Sequence, residues 1–402
     1  MAGGLKHDPR KPQQDSPPEL VSAPASATGV LTIDLHAIQR NYRKLCVEAG
    51  PAECAAVVKA DAYGLGTRQI AAALAAAGCR TFFVATLAEA IVLRQAVPTA
   101  SLYVLNGLFP RTAPMFRDIA AQPVLGSMEE IKEWAACMSG AQEPALPAAL
   151  HIDTGMNRLG VKPADYAELI AARELLEALP VGLVMSHLAC ADAPEHPKNA
   201  AQGAAFAAIT AQLPPAWRSL ANSPGLFLGR DYAFDLVRPG VALYGGNPFS
   251  SRPNPMQPVV CLYGRIAQLG EAERGETVGY GAARTLTRRT RYAAVTAGYA
   301  DGYSRALGSR DGREGAVAWL GDCKLPILGR VSMDLIVFDV TDVPENRVVR
   351  GGWVELIGER FTVDDAASCA GTIAYDVLTS LGQRYHRIYT GLQTRQEPMD
   401  NR

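Results

Sequence analysis

Apolar and polar residues follow one rhythm in the first part of the chain and another in the last part. From about residue 30 to residue 245, short apolar runs alternate with alanine-rich stretches whose apolar residues recur at i, i+3 and i+4, the spacing of amphipathic helices. The runs are CAAVVKA, TFFVAT, SLYVLNG, QPVLGS, AALHIDT, VGLVMSH, RSLANS and DLVRPGVALYG. About eight strand–helix units predict a (β/α)8 TIM barrel. An open doubly wound parallel sheet is the competing fold.

From about residue 260 the pattern becomes one of strands. RYAAVTAGY, AVAWLG, LIVFDVT and WVELIG are separated by glycines and by Asp-Gly or Gly-Asp pairs, and helical spacing returns only in YDVLTSLGQRYHRIYT. The first residues are rich in proline and polar groups. We therefore predict a disordered tail over residues 1–27, an α/β barrel domain over 28–262 and a mostly β domain over 263–402.

Composition narrows the class of protein. Hydrophobic residues make up 48% and charged residues 20% of the 402 positions, which is enough to build a globular core. A formal net charge of -1 gives no support for nucleic acid or a membrane surface as partner. The start of the chain lacks the apolar segment of a secretory signal, so we predict a cytoplasmic protein. The eight cysteines form no CxxC pair, which fits a reducing compartment and argues against a metal site.

Polar residues stand where the predicted barrel strands end, which is where such barrels place their chemistry. They are Lys59, His187, Asn222 with Ser223, and Arg238. Singly, each has an ordinary explanation as a surface, structural or turn residue. Together they offer an amine, a fixed cation and small residues near the last two strands, the usual phosphate site of these barrels. An amine beside a phosphate site indicates pyridoxal 5'-phosphate, whose aldehyde condenses with a neutral lysine.

Eight short motifs carry a resemblance to a known family. In order they are AVVKADAYGLG, HIDTGMNRLG, NSPG, VRPGVALYG, VGYGA, GYADGY, GRVSMD and TIAYDVLTSLGQR. Over roughly residues 29–390 they resemble the motifs of bacterial alanine racemases, pyridoxal-phosphate enzymes that interconvert L-alanine and D-alanine. The resemblance implies a barrel followed by a β domain, with a first strand near 29–35 packed on the latter. It also implies a head-to-tail homodimer whose active sites combine one subunit's barrel with the other's β domain.

The resemblance assigns cofactor contacts residue by residue. Lys59 resembles the lysine attached to the cofactor, and Arg238 resembles the arginine that faces its pyridine nitrogen. An arginine there can only donate, so the ring nitrogen should stay unprotonated. His187 resembles the group that orients Arg238. The residues that match the family's cofactor contacts are Lys59, Tyr63, His187, Asn222, Ser223, Arg238, Gly240, Val241 and Tyr375.

Racemisation removes a proton from one face of Cα and returns one to the other, so two bases are needed. The resemblance assigns the D-isomer's proton to Lys59 and the L-isomer's proton to Tyr280 of the partner subunit. Arg158 resembles the residue near the substrate carboxylate, and the backbone of Met333 resembles the group that binds it across the dimer. The residues that resemble an entrance to the site are Tyr299, Asp334, Asp192, Arg305 and Arg330. A small entrance would exclude large amino acids but admit serine to some extent.

One residue departs from the family pattern. Many members carry at the position of His151 a lysine that is carbamylated and positions the arginine corresponding to Arg158. Histidine cannot form that carbamate, so we predict that no modified lysine stands there. A chloride ion, a neighbouring acid or His151 itself would have to orient Arg158.

Other functions remain open at this stage. The enzyme could supply D-alanine for peptidoglycan or serve alanine catabolism. A broader amino-acid racemase would be expected to carry an export signal and a wider entrance. A non-catalytic carrier of pyridoxal phosphate would resemble the barrel alone, and a decarboxylase of related fold would place an acidic residue where Arg238 stands.

Overall fold

The computed structural model describes residues 18–139 and 146–391 of the 402-residue chain. Most of the predicted tail over 1–27 lies outside these ranges. Within them, Pro18–Ser22 forms a short 3-10 helix whose Leu20 is buried against Val30 and Tyr263. The stretch 18–27 therefore has local order that its composition did not predict, because Leu20 gives it an apolar anchor.

The chain divides into two compact units, one over residues 35–257 and the other made of the residues on both sides, 1–34 and 258–402. The predicted boundary at 262/263 falls inside a strand of the second unit, Val260–Ala272, so the structure places the division a few residues earlier. The strand predicted near 29–35 is β1, Gly29–Asp34, and it belongs to the second unit.

The unit over 35–257 alternates parallel strands with helices. Its strands are β2 (Glu53–Cys54), β3 (Ala56–Val57), β4 (Thr81–Val84), β5 (Ser101–Val104), β6 (Ala121–Leu125), β7 (Ala148–His151), β8 (Val181–Met185), β9 (Trp217–Ser219) and β10 (Leu236–Val237). Its helices are α1 (Leu35–Ala49), α2 (Lys59–Tyr63), α3 (Thr67–Ala76), α4 (Leu87–Ala96), α5 (Ala113–Asp118), α6 (Met128–Ser139), α7 (Tyr166–Ala171), α8 (Arg173–Ala178) and α9 (Pro197–Thr210).

Hydrogen bonds close these strands into a barrel. Strands β3 to β9 form a seven-stranded parallel sheet in sequence order, and β10 pairs in parallel with β2. The Val57 amide donates to the Pro239 carbonyl (3.0 Å), and the Arg238 amide donates to the Ala221 carbonyl (2.9 Å), so the last strand bonds to the strands on both sides. The predicted (β/α)8 barrel is confirmed, and its parallel strands all end at one rim.

The second unit is mostly β, as predicted. Besides β1 its strands are β11 (Val260–Ala272), β12 (Thr277–Val278), β13 (Arg284–Thr285), β14 (Thr290–Thr296), β15 (Val317–Leu320), β16 (Cys323–Pro326), β17 (Leu335–Asp339), β18 (Trp353–Ile357) and β19 (His386–Thr390). Its helices are α10 (Val363–Ala370) and α11 (Ala374–Ser380). The main sheet runs β16-β15-β18-β11-β1-β19, and β14 pairs with β11 and β17. Among helices in the described ranges, none has the length and hydropathy needed to cross a bilayer.

Candidate active site

Lys59 lies two residues after strand β3 and begins the short segment α2, whose backbone is a left-handed turn and not a regular helix. The next four residues, Ala60 to Tyr63, have φ between +53° and +56°, so the backbone forms a left-handed turn that ends at Gly64. Non-glycine residues in this conformation cost about 1–2 kcal/mol each. Such a conformation persists only where its surroundings impose it.

Hydrogen bonds from two sides hold this turn. The Ala60 amide donates to Glu89 Oε1 (2.7 Å), and the other carboxylate oxygen of Glu89 accepts from the amides of Ala85 (2.8 Å) and Thr86 (3.2 Å). Asp61 Oδ1 accepts from the Thr67 amide (2.8 Å). The carboxylate of Glu89 thus caps α4 and at the same time fixes the residue next to Lys59.

The environment of Lys59 favours its neutral amine. Burial lowers the pKa of Lys59, the positive charge of Arg158 lowers it further, and Glu89 opposes the change. An amine must lose its proton before it can act as a nucleophile or as a base, so these surroundings suit both roles.

Arg238 is a buried cation at the same rim, only 3% exposed. It donates to the Ser219 hydroxyl and to the carbonyl of Ser186 (2.6 Å). Its Nη2 also lies 3.5 Å from Nδ1 of His187, and Nε2 of His187 lies 3.5 Å from the side-chain amide of Asn222. Burial lowers the pKa of Arg238 to about 9, which still leaves it charged at neutral pH. His187 thus lies between Arg238 and Asn222, and its orienting role stays a prediction.

A second group of predicted residues forms a cradle of backbone donors. The Ser223 hydroxyl accepts from the amides of Gly240 (2.8 Å) and Ala242 (3.3 Å), at the start of the 3-10 turn Val241–Tyr244. Gly240 also meets Tyr63, since a Cβ at Gly240 would lie 2.2 Å from the tyrosine hydroxyl. Convergent amides and hydroxyls of this kind suit a phosphate group.

Arg158 stands on an exposed loop that a buried carboxylate organises. Asp153, 2% exposed, accepts from the amides of Gly155 (2.9 Å), Met156 (2.9 Å) and Asn157 (3.1 Å) through one oxygen, and Lys162 donates to the other. The loop bends through Asn157 at φ +57°. Asp153 and Lys162 therefore fix the backbone on which Arg158 is carried.

His151 ends β7 beneath this loop and is 8% exposed. Burial first, and then the charge of Arg238, lowers the pKa of His151 to about 4, so the imidazole is neutral at neutral pH. It lines a cavity of about 210 Å³ together with Asn106, Ser127, Glu130 and Arg158. Burial raises the pKa of Glu130, the acidic side chain in the wall of this cavity.

The neutral state of His151 predicts a loss of stability in mild acid. Between pH 6.5 and about 4 the unfolded chain takes up a proton at this imidazole that the folded protein does not, so the free energy of unfolding falls as the pH falls. The full effect is about 3 kcal/mol. We expect urea unfolding at pH 7.5 and 4.5 to show a larger loss for the wild type than for His151→Gln. The exposed His36→Gln is the control, and equal losses in wild type and His151→Gln would contradict the assignment.

The remaining predicted residue of the barrel unit lies away from this network. Asp192 is exposed in the chain after β8, and its carbonyl accepts from the amide (3.3 Å) and hydroxyl (2.9 Å) of Ser250. The entrance role of Asp192 stays a prediction.

The β unit carries the other predicted residues, several of them on its surface. Tyr280 is 70% exposed between Gly279 and Gly281, both with left-handed φ. Arg330 lies beside this loop, since a Cβ at Gly281 would be 3.3 Å from its Nη1. The other members of the predicted set here are Tyr299, Arg305, Met333, Asp334 and Tyr375. Tyr299 and Met333 are exposed, while Tyr375 is partly buried on α11.

Sequence reasoning missed the residues that support the site. Glu89, Ser219 and Asp153 hold Lys59, Arg238 and Arg158 in place, yet none stood out by residue type. Glu89 and Asp153 each carry a local signal. Glu89 has the spacing of a capping box with Thr86, and Asp153 stands two residues before a glycine turn. Ser219 contacts Arg238 across strands and has no such signal.

The closed barrel brings Lys59, the buried Arg238 and the contact between Ser223 and Gly240 to one rim, which is where enzymes of the (β/α)8 barrel class hold their active sites. Family models match both parts of the chain: "Alanine racemase, N-terminal domain" over residues 33–248 and "Alanine racemase, C-terminal domain" over residues 259–389. The chain belongs to the alanine racemase family, as the motifs predicted.

Individual relatives support the same family. The chain is 50% identical over 370 residues to alanine racemase of Methylobacterium nodulans, covering 92% of this chain and 98% of that protein. It is 47% identical over 368 residues to the catabolic alanine racemase of Mesorhizobium japonicum, covering 91% and 94%. Among solved structures it is similar to alanine racemase from Bartonella henselae with covalently bound pyridoxal phosphate, with a TM-score of 0.85 and 40% identity over 90% of this chain and all of that one.

Proposed function

We propose that this protein is a pyridoxal-phosphate-dependent alanine racemase that interconverts L-alanine and D-alanine. The observation that carries the proposal is the setting of Lys59, a half-buried amine with a lowered pKa, fixed by Glu89 at the rim that also holds Arg238 and the Ser223 cradle. Membership of the alanine racemase family supports the reaction.

The residues of the barrel rim fit pyridoxal phosphate. The amides of Gly240 and Ala242 meet at the Ser223 hydroxyl, and the Tyr63 hydroxyl lies against Gly240, where a Cβ would be only 2.2 Å away. These groups, with Val241 and Tyr63, would hold the phosphate, and Tyr375 of the β unit is proposed to join them. Arg238, oriented by His187 and Asn222, would donate to the ring nitrogen. When bound, the cofactor supplies the electron-withdrawing group that makes the Cα proton of alanine acidic.

The chain's own residues would move the protons. Lys59 would take or return the proton on the D-face of Cα, and burial, by lowering its pKa, favours the neutral amine that a base needs. Tyr280 of the partner subunit would do the same on the L-face. The charge of Arg158 would attract the substrate carboxylate at the barrel rim, and the Met333 amide would bind it from the partner subunit.

The proposal includes a head-to-tail homodimer. Tyr280, Tyr299 and Met333 are 70%, 43% and 52% exposed, and large apolar groups displayed in this way suit an interface. In the dimer they would narrow the entrance together with Asp192, Arg305, Arg330 and Asp334. A narrow entrance favours alanine over larger amino acids. We also propose that the enzyme works in the cytoplasm, where D-alanine would serve peptidoglycan precursors or alanine catabolism.

The test measures the chirality of the product and the exchange of the Cα proton with solvent. Purified protein loaded with pyridoxal phosphate is incubated with L-alanine in deuterated buffer, and the product is analysed by chiral chromatography and mass spectrometry. We expect both isomers in equal amounts, each carrying deuterium at Cα. L-Serine is the comparison substrate and should react more slowly. Optically unchanged alanine without deuterium would contradict the proposal.

A further inference from the structure

A charged cluster in the β unit joins two surface loops that sequence places far apart. Arg384 donates from Nε to Asp301 (2.6 Å) and from Nη2 to Asp334 (2.8 Å). Asp301 follows Tyr299 in its 3-10 turn, and Asp334 follows Met333. One guanidinium therefore bridges the loop that carries Tyr299 and the loop that carries Met333.

The two loops also bond directly to each other. The Tyr299 amide donates to the Ser332 carbonyl (3.1 Å), and the Ala300 amide donates to the Met333 carbonyl (3.1 Å). Gly298 allows this approach, because a Cβ there would lie 2.1 Å from the Met333 carbonyl oxygen. The backbone at Met333 is thus set by its contact with the Gly298–Ala300 segment.

Asp301 connects Arg384 to that backbone contact. Its second carboxylate oxygen accepts from the Gly298 amide (2.9 Å), and its side chain is only 10% exposed. Its carbonyl accepts from the Gly382 amide (2.8 Å), in the segment that leads to Arg384. Arg384 therefore contacts the Tyr299–Asp301 turn through Asp301 and the Met333 loop through Asp334.

The ion pair between Arg384 and Asp334 is exposed, so its effect on the position of the loops can be distinguished from an effect on protein stability. The side chains of Arg384 and Asp334 are 52% and 57% exposed. Exposed ion pairs contribute little to the free energy of unfolding. A bridge between two surface loops can nevertheless restrict how they move relative to each other, because each carboxylate belongs to a different loop.

We propose that Arg384 is a positioning residue that fixes the backbone of Met333 and of the turn that carries Tyr299 for the substrate. The inference rests on the proposed function, in which the Met333 amide of one subunit binds the carboxylate of alanine. Loss of Arg384 would leave the Met333 loop held by its backbone bonds alone and so weaken substrate binding, while the proton-transfer groups stay in place. The effect would appear mainly in KM and less in kcat.

The test compares Arg384→Met with a matched control. Arg288→Met removes another half-exposed arginine of the same unit that bridges two aspartates, Asp339 and Asp342, away from this cluster. We expect Arg384→Met to raise KM for alanine on the order of tenfold and Arg288→Met to leave it unchanged. Arg384→Lys, which can reach one carboxylate at a time, should restore part of the loss. If KM is unchanged in Arg384→Met while the wild-type protein racemises alanine, the inference is overturned and the proposed function stands.

A second measurement tests the positioning without relying on turnover. Amide hydrogen exchange in peptides covering residues 298–301 and 332–335 should become faster in Arg384→Met and in Asp334→Asn, with similar thermal unfolding midpoints. If both act through the same bridge, the double variant should exchange no faster than Arg384→Met alone. Exchange equal to that of wild type would overturn the inference even if the protein had no activity on alanine.

Discussion

Replacing Lys59 by alanine is expected to remove covalent attachment of pyridoxal phosphate and to lower racemisation of alanine by roughly 10⁴-fold or more. The amine is proposed to act both as the attachment point and as one of the two bases, so a single change removes two contributions. Borohydride treatment followed by peptide mapping should find the cofactor fixed at residue 59 in the wild-type protein. The same procedure should find no labelled peptide in the variant.

Lys44→Ala is a suitable control for this experiment. Lys44 is an exposed lysine of the same unit whose amine donates to the Pro255 carbonyl (2.8 Å). This variant should retain both labelling and activity. A label on any other lysine of the wild-type protein would contradict the proposed site and with it the proposed function.

Replacing Tyr280 by phenylalanine removes one hydroxyl from an exposed loop of the β unit. If that hydroxyl exchanges the proton on the L-face, turnover from L-alanine should fall by roughly 10²- to 10⁴-fold, the usual contribution of a positioned acid or base. Borohydride labelling of Lys59 should be unaffected, because the barrel holds that residue. Exchange of the Cα proton of D-alanine with deuterated buffer should continue, because it needs only Lys59.

Tyr292→Phe provides the matched control on strand β14 of the same unit. It should leave exchange from both isomers unchanged. Equal exchange rates for the two isomers in Tyr280→Phe would show that another group serves the L-face. Loss of labelling at Lys59 would show that Tyr280 acts through the cofactor site instead.

The sequence predicted the fold because each barrel strand is a short apolar run that ends in a recognisable polar residue. Lys59, His187, Asn222 and Arg238 were singled out by position alone, and the structure places the imidazole of His187 3.5 Å from both Asn222 and Arg238. The domain boundary was placed too late because the apolar start of β11 also reads as the end of a barrel. Strand pairing, not composition, decides to which unit such a segment belongs.

What the sequence could not predict are conformations and pairings imposed by the rest of the fold. Alanine and aspartate have no local preference for four successive left-handed residues, so the turn after Lys59 has no signature. Arg384 and Asp301 are 83 residues apart and look like ordinary surface charges. The supporting residues of the site were missed for the same reason, since their roles exist only in the folded barrel and sheet.

The left-handed turn has a consequence for how the enzyme matures. A free peptide with the sequence of Ala60 to Tyr63 would relax to a right-handed backbone, because each residue avoids a cost of about 1–2 kcal/mol by doing so. In the folded protein this backbone is held by the bond from the Ala60 amide to Glu89, 29 residues further along the chain, so the setting of Lys59 depends on α4 having packed against it. With Lys59 as the proposed attachment site, vitamin loading should follow barrel closure during biosynthesis, and a newly made polypeptide that holds its coenzyme should already be folded in this region.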